Sequence, residues 1–222
     1  MTRFFDVLLS SLAILLLLPL LLPIMIILKC TGEHHIFYKQ ERIGKGGERF
    51  EILKFATMLK DSPNLPGGFI TTGGDPRVLP FGRFLRKSKI NEIPQLFNVW
   101  LGQMSVIGPR PVVAPHFALY SPDQQAAIRK MRPGLSGIGS LFFRNEETIL
   151  AHPDHEGRWI HDHVAAPYKG SLEQWYAGHS TLSNYFKLIG LTILSLLNPG
   201  FRPSRWFKDL PTPPELLRHH WE

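Results

Sequence analysis

Between Val7 and Leu28 the chain carries no charged side chain and consists mostly of Leu and Ile. No other feature of its 222 residues constrains the fold as strongly. At ~1.5 Å per residue, a helix of that length matches the ~30 Å hydrocarbon core of a bilayer, so membrane insertion is expected. A cleaved signal peptide fits poorly: the run exceeds the roughly 7–15 residues of a signal h-region. In addition, LKCTGEHH holds no small-x-small cleavage site. Pro19 and Pro23 lie inside the run. Each removes a helix hydrogen bond and obstructs the preceding turn, which predicts a sharp kink near Pro19. Basic residues flank both ends, Arg3 before and Lys29, Lys39, Arg42 and Lys45 after, so the positive-inside rule gives no single direction. A helix-break-helix over residues 1–30 that enters and leaves by one face explains both observations. A kinked spanning helix is the alternative.

The remaining length suffices for one domain with a core of its own. A formal charge of +7 points to an anionic partner: nucleic acid, a lipid surface or a phosphorylated substrate. The single cysteine, Cys30, excludes an intrachain disulfide framework and a multi-cysteine zinc site. A reducing, cytosol-facing environment is expected.

Beyond the apolar run, Ile36–Tyr38 and Phe50–Phe55 read as two short strands around the glycine-rich GKGG, which matches neither a P-loop nor a dinucleotide loop. Residues 61–75, DSPNLPGGFITTGGD, form a loop that is a candidate flap over a site. Arg77, Arg83, Arg86, Lys87 and Lys89 then crowd into thirteen positions. A helix follows on the apolar spacing of Ile93, Leu96, Phe97, Trp100 and Leu101, the face expected to be buried. Asn91 reads as its N-cap, Glu92 as its first helical residue and Gly102 as its stop. A basic run before a helix N-terminus is an anion-binding surface. In GPRP, Pro109 and Pro111 restrict the backbone around Arg110 and present its guanidinium with little freedom; Arg132-Pro133-Gly134 repeats the style. Nucleic acid is disfavoured because no aromatic platforms interleave with the charge, which leaves phosphate on a small ligand or lipid. HPDHEGRWIHDH invites a metal reading through His152 and Asp154. However, Pro153 separates them and an H-x-H pair does not share a helix face, so ordinary surface histidines are expected. Phe186–Leu197 is apolar but too short to span. With Arg202, Arg205, Trp206, Phe207 and Lys208 after it, an interfacial helix with a Trp/Arg anchor fits, and a buried core helix is the alternative.

Taken in order, these segments resemble the bacterial sugar transferases of the monotopic phosphoglycosyl transferase family, the polyprenyl-phosphate hexose-1-phosphate transferases. The resemblance rests on Arg3, Asp6 and Pro19, then FYKQERIGKGG and KFATM (Lys54–Met58). It continues through DPRVLPFGRFLRK, NEIPQLFNVWLGQMSVIGPRP, MRPGLSG and PYK…LEQWY (Pro167–Tyr176). It implies an α-rich α/β fold in three parts: a re-entrant membrane helix over 1–30 with its kink at Pro19, a small cytosolic catalytic domain over 31–180, and a C-terminal interfacial helix and tail over 181–222. The implied reaction moves a sugar-1-phosphate from a UDP-sugar to undecaprenyl phosphate with Mg²⁺, releasing UMP, at the cytoplasmic face of the bacterial inner membrane. Its implied partners are those two substrates, membrane lipid and downstream glycosyltransferases, with a homodimer left open.

Carried residue by residue, the resemblance makes Glu92 the metal-binding glutamate and puts Asn91 where the family has its nucleophilic aspartate. Arg86 and Arg110 become phosphate ligands, with Arg77, Arg83, Arg132 and Lys54 as further candidates. An amide cannot replace a carboxylate in a covalent step. Three readings follow: Glu92 attacks, the lipid phosphate attacks directly with Glu92 and metal assisting, or the chain is an inactive scaffold that binds polyprenyl phosphate or partner enzymes. Gln103, Leu18 and the GIGSLFFRNEE segment also depart from the family pattern.

Overall fold

The computed structural model describes residues 2–66, 74–151, 155–198, 200–218 and 220–221. Most of the 61–75 loop's glycine-rich part, and His152 to Asp154 of the histidine segment, lie outside the described residues.

The apolar run forms α1 (Thr2–Cys30), one 29-residue helix of about 43 Å. It is long and apolar enough to cross a membrane. The helix continues through Pro19 and Pro23, so the two segments expected to be separate helices form one element. Its inward stripe is Asp6, Ser10, Leu21, Ile24 and Leu28, while Leu12, Leu15, Leu16, Leu22 and Ile26 on the other side are 50–70 % exposed. Such a leucine stripe is an unfavourable surface in water and a favourable one in hydrocarbon.

The hairpin β1 (Phe37–Ile43) and β2 (Arg49–Phe55) is antiparallel, with Tyr38 opposite Lys54 and Arg42 opposite Phe50, and it turns on GKGG as expected. Next come α2 (Pro80–Lys87) and α3 (Gln95–Leu101). The strand β3 (Ser105–Ile107) pairs in parallel with β4 (Gly134–Ser136) across a crossover that holds α4 (Ala114–Phe117) and α5 (Pro122–Arg129). At this pairing the two Arg-Pro segments meet so closely that a Cβ on Gly134 would lie 2.1 Å from the Gly108 nitrogen. The rest is helical: α6 (Ile138–Phe142), α7 (Glu146–Leu150), α8 (Gly157–Ile160), α9 (Ala166–Gly178), α10 (Leu182–Leu197) and α11 (Glu215–Arg218). The fold is thus mixed α/β and helix-rich. Its main core joins Ile107, Ile138, Leu172, Leu188, Leu217 and Trp221; the inner face of α10 therefore sits in the core, while Phe186, Ile193, Leu196 and Leu197 face outward.

Both ends of α1 grip this domain. Near its start, Arg3 donates to the carbonyls of Val99 (2.5 Å) and Trp100 (2.6 Å) at the end of α3, where the helix dipole favours a cation. Asp6 is 1 % exposed and accepts from Ser105 Oγ (2.8 Å), Val106 N–H (2.9 Å) and Tyr185 OH (2.9 Å). Near its end, Leu21, Ile24 and Leu28 bury against Phe55 and Leu85.

Two expectations for the central segment are corrected. Asn91 is not an N-cap. It lies within a 3-10 turn, Ile90–Glu92, that follows Lys89 in the left-handed region (φ 59°), and α3 begins only after Pro94. Ile93 N–H bonds to the Ile90 carbonyl. Leu96 N–H then bonds to the Ile93 carbonyl and Phe97 N–H to the Pro94 carbonyl, so the tighter three-residue spacing persists up to the start of α3. The expected buried stripe is borne out only in part, since Leu96 is buried and Ile93 packs against the core. Gln95, Leu96, Asn98 and Val99 point inward, whereas Phe97, Trp100 and Leu101 are 39, 49 and 63 % exposed. Asn98 explains why the rest of the stripe turns outward. Its Oδ1 accepts from Leu53 N–H (2.9 Å), and its Nδ2 donates to the Glu51 carbonyl (2.8 Å) and to Gln103 Oε1 (2.7 Å), tying α3 to β2. The stop at Gly102 (φ 87°) is as expected.

Candidate active site

The hairpin, the 3-10 turn and the loop after β3 converge on one carboxylate. Lys54 Nζ, from β2, lies 2.9 Å from Glu92 Oε1, and Arg110 NH2 lies 3.8 Å from the same oxygen. Burial alone would raise the Glu92 carboxyl, but Lys54, Arg110 and Lys89 outweigh it and hold it at about 2. Glu92 is therefore ionised at any physiological pH, with 23 % of its side chain open to solvent. Burial lowers the Lys54 ammonium, against the pull of Glu92. Arg42, on the same strand face as Tyr38 and its cross-strand partner Lys54, donates to the Pro111 carbonyl (3.3 Å) and to Gln40. Burial and the neighbouring Arg110 lower it to about 10, and its buried Nε has no protein partner. Three cations, Arg42, Lys54 and Arg110, thus surround one carboxylate. The excess positive charge suits a polyanion.

Glu92, Lys54 and Arg110 are brought together as the sequence suggests. Arg86, half-buried on α2, sets NH1 3.4 Å from Met58 Sδ. Arg83 is exposed on the same helix. Arg77 is 5 % exposed and locked to Asp75 (NH2–Oδ2 2.6 Å) and the Ser62 carbonyl, so its guanidinium braces the loop before α2 instead of facing a solvent-borne phosphate. Arg132 donates Nε to the Gly102 carbonyl (2.9 Å) and, like Arg3, serves the C-terminal end of α3. Asn91 is 6 % exposed and its Oδ1 is buried without a partner.

Three functional candidates were not legible. Arg42 registered only as flanking charge; the two-residue alternation of its strand with Tyr38 was the available signal. Glu173 of LEQWY is fully buried behind Arg110, whose backbone N–H it accepts at 3.4 Å. Burial pushes its carboxyl up to about 8. Within electrostatic reach of Arg110, Lys169 Nζ and Glu146 Oε1 form a second ion pair at 2.5 Å. Nothing local in the sequence pairs these last residues.

Among the described residues no group of three His, Cys, Asp or Glu could hold a metal by protein ligands alone. His161 bonds instead to Asp162 (2.6 Å), and His155, Trp159 and His163 stack. Mg²⁺ fits the donor chemistry at Glu92 in a different way, since it is commonly held by one or two carboxylates together with substrate phosphates and water. Glu92 supplies such a carboxylate, and the orphaned Asn91 oxygen is its sequence neighbour.

A family model for bacterial sugar transferases matches residues 1–199, and the chain belongs to that family. Among curated relatives, the exopolysaccharide production protein ExoY of Sinorhizobium fredii is 37 % identical over 158 residues, covering 65 % of this chain and 70 % of that protein. The UDP-glucose:undecaprenyl-phosphate glucose-1-phosphate transferase of Caulobacter vibrioides is 38 % identical over 143 residues, covering 63 % of this chain and 52 % of that protein. A UDP-galactose-lipid carrier transferase of Erwinia amylovora is 32 % identical over 209 residues, covering 86 % of this chain but 40 % of its own. The chain thus spans about half or less of the latter two proteins.

Proposed function

We propose that the chain transfers a sugar-1-phosphate from a UDP-sugar to undecaprenyl phosphate at the cytoplasmic face of the bacterial inner membrane, starting a membrane-bound glycan. The observation that carries this reading is the Glu92 carboxylate, held ionised by Lys54 and Arg110 inside a cationic cluster beside a membrane helix. The names of its relatives support the substrates.

Asn91 favours direct transfer. Its amide is buried and no nucleophile, and Glu92 is hydrogen-bonded to Lys54 with a weakly basic carboxylate. An oxygen of the lipid phosphate attacks the β-phosphorus of the donor. The bond from that phosphorus to the bridging oxygen breaks, and its electron pair leaves on UMP. Arg110, Arg42 and Lys54 neutralise charge on the transferring group, and Arg86 holds the acceptor side. Glu92 would hold Mg²⁺, which would supply further charge neutralisation at the leaving group.

Re-entrant placement of α1 is part of the same proposal. Its first turns and its last turns both bury against one domain, which supports a placement with both ends on the same side of the bilayer. The outward Phe97, Trp100 and Leu101 of α3 and the outer face of α10 then lie at the lipid surface.

Purified protein with undecaprenyl phosphate, Mg²⁺ and a panel of UDP-sugars tests the reaction, with UMP as the readout. Lipid-dependent UMP from at least one sugar is expected. Silence with every sugar, with activity appearing in Asn91→Asp, would instead establish an inactive scaffold.

A further inference from the structure

We propose that the cavity between the end of α1, the hairpin and α2 receives the isoprenoid chain of the acceptor lipid at its phosphate-bearing end. This rests on the polyprenyl phosphate acceptor proposed above. The cavity measures about 570 Å³, within the ~300–1,000 Å³ of small-ligand sites. Its apolar walls are Leu28, Phe37, Ala56, Met58, Leu79 and Phe81. Aromatic rings and a methionine thioether conform well to a branched, unsaturated chain.

Two continuities fix the occupant. On one side the wall is Leu28 of α1, directly after Ile26 and Ile27, which are 64 and 40 % exposed on the lipid-facing helix. A chain lying along α1 therefore enters without crossing water. On the other side the wall is Tyr38 and Met58. Tyr38 is the cross-strand partner of Lys54, which holds Glu92, and Met58 Sδ touches Arg86. Lys39, Lys60, His35 and the Glu33 carboxylate, which accepts from Lys60 N–H, add polar groups to the lining. The cavity thus shares Tyr38 and Met58 with the elements that carry the phosphate-binding cluster. A lipid whose chain is esterified directly to phosphate suits an apolar cavity that adjoins phosphate-binding elements.

The test uses the full chain in nanodiscs and a polyprenyl phosphate that bears a diazirine on the isoprene unit next to the phosphate. The expected label falls on residues 31–39, 56–60 or 79–82 and is competed by unlabelled polyprenyl phosphate but not by phosphatidylglycerol. Thr31, exposed at the cavity wall, provides a variant that fills it from outside. Thr31→Trp is expected to suppress the label and raise the acceptor KM about tenfold or more, the scale of losing two buried methylenes, with the donor KM unchanged. Label confined to Leu12–Leu20, equal competition by phosphatidylglycerol, or a Thr31→Trp protein with unaltered labelling and KM would overturn the inference. UMP release by the wild type separates the two proposals. Turnover with label elsewhere sinks the cavity assignment alone, and cavity labelling without turnover sinks the transfer reaction alone.

Discussion

Two carboxylates flank Arg110, and their surroundings drive their proton affinities in opposite directions. Glu92 is held at about 2 because Lys54 and Arg110 overcome its burial. Glu173 is raised to about 8 because burial outweighs the Arg110 and Gly139 N–H groups, and its Oε2 has no protein partner. Between the unfolded glutamate value of ~4.3 and about 8, the folded chain binds the Glu173 proton more tightly than the unfolded chain. The stability this lends is complete below that unfolded value and is lost as pH rises through the window. Glu173→Gln keeps an acceptor for Arg110 N–H and removes the titration. It is expected to flatten the fall in denaturation midpoint between about pH 5 and 8; an unchanged slope would mean that Glu173 titrates normally. Asp6 makes a different prediction. Asp6→Ala strands the hydroxyls of Ser105 and Tyr185 and the Val106 N–H, at ~1–3 kcal/mol for each buried donor left unpaired, so a loss of roughly 3 kcal/mol or more is expected. Asp6→Asn, which retains an oxygen acceptor, should lose less. Thermal unfolding in detergent reads both.

At the scale of elements, α1 decides how the molecule meets the membrane. Cys30 is exposed at its end and is the only cysteine, so a Thr2→Cys variant puts one thiol at each end of the helix. In a re-entrant arrangement, a membrane-impermeant maleimide labels both thiols in inverted vesicles and neither in intact spheroplasts. Labelling of residue 2 from the periplasmic side would establish a span. The hairpin was legible because alternation and a glycine turn are local signals, and the Gly102 stop for the same reason. The outward apolar face of α3 was not. Periodicity finds an apolar stripe but cannot say whether protein or lipid covers it, and the Asn98 bonds that turn the stripe outward reach Leu53 and Glu51, more than forty residues away. The Asn91 cap failed because the chain enters this turn through a left-handed Lys89 and winds it as a 3-10 helix.

Across the whole molecule, these elements place one carboxylate, three cations and a largely apolar-walled cavity at the junction of a long apolar helix and an α/β domain. Glu92, Lys54 and Arg110 could be assembled from sequence because the resemblance spans the chain. Arg42, Glu173 and the Lys169–Glu146 pair could not, because long-range packing alone brings them to Arg110. The central claim is that phosphoryl transfer proceeds directly between two substrates on this surface, with Asn91 taking no covalent part. A rapid-quench experiment tests it: stoichiometric UDP-sugar labelled at the β-phosphate, mixed with the enzyme and Mg²⁺ in the absence and in the presence of undecaprenyl phosphate. Without lipid the account predicts neither UMP nor protein-bound label, and with lipid it predicts UMP matched by lipid-linked label. Label appearing on the protein before lipid is added would contradict it.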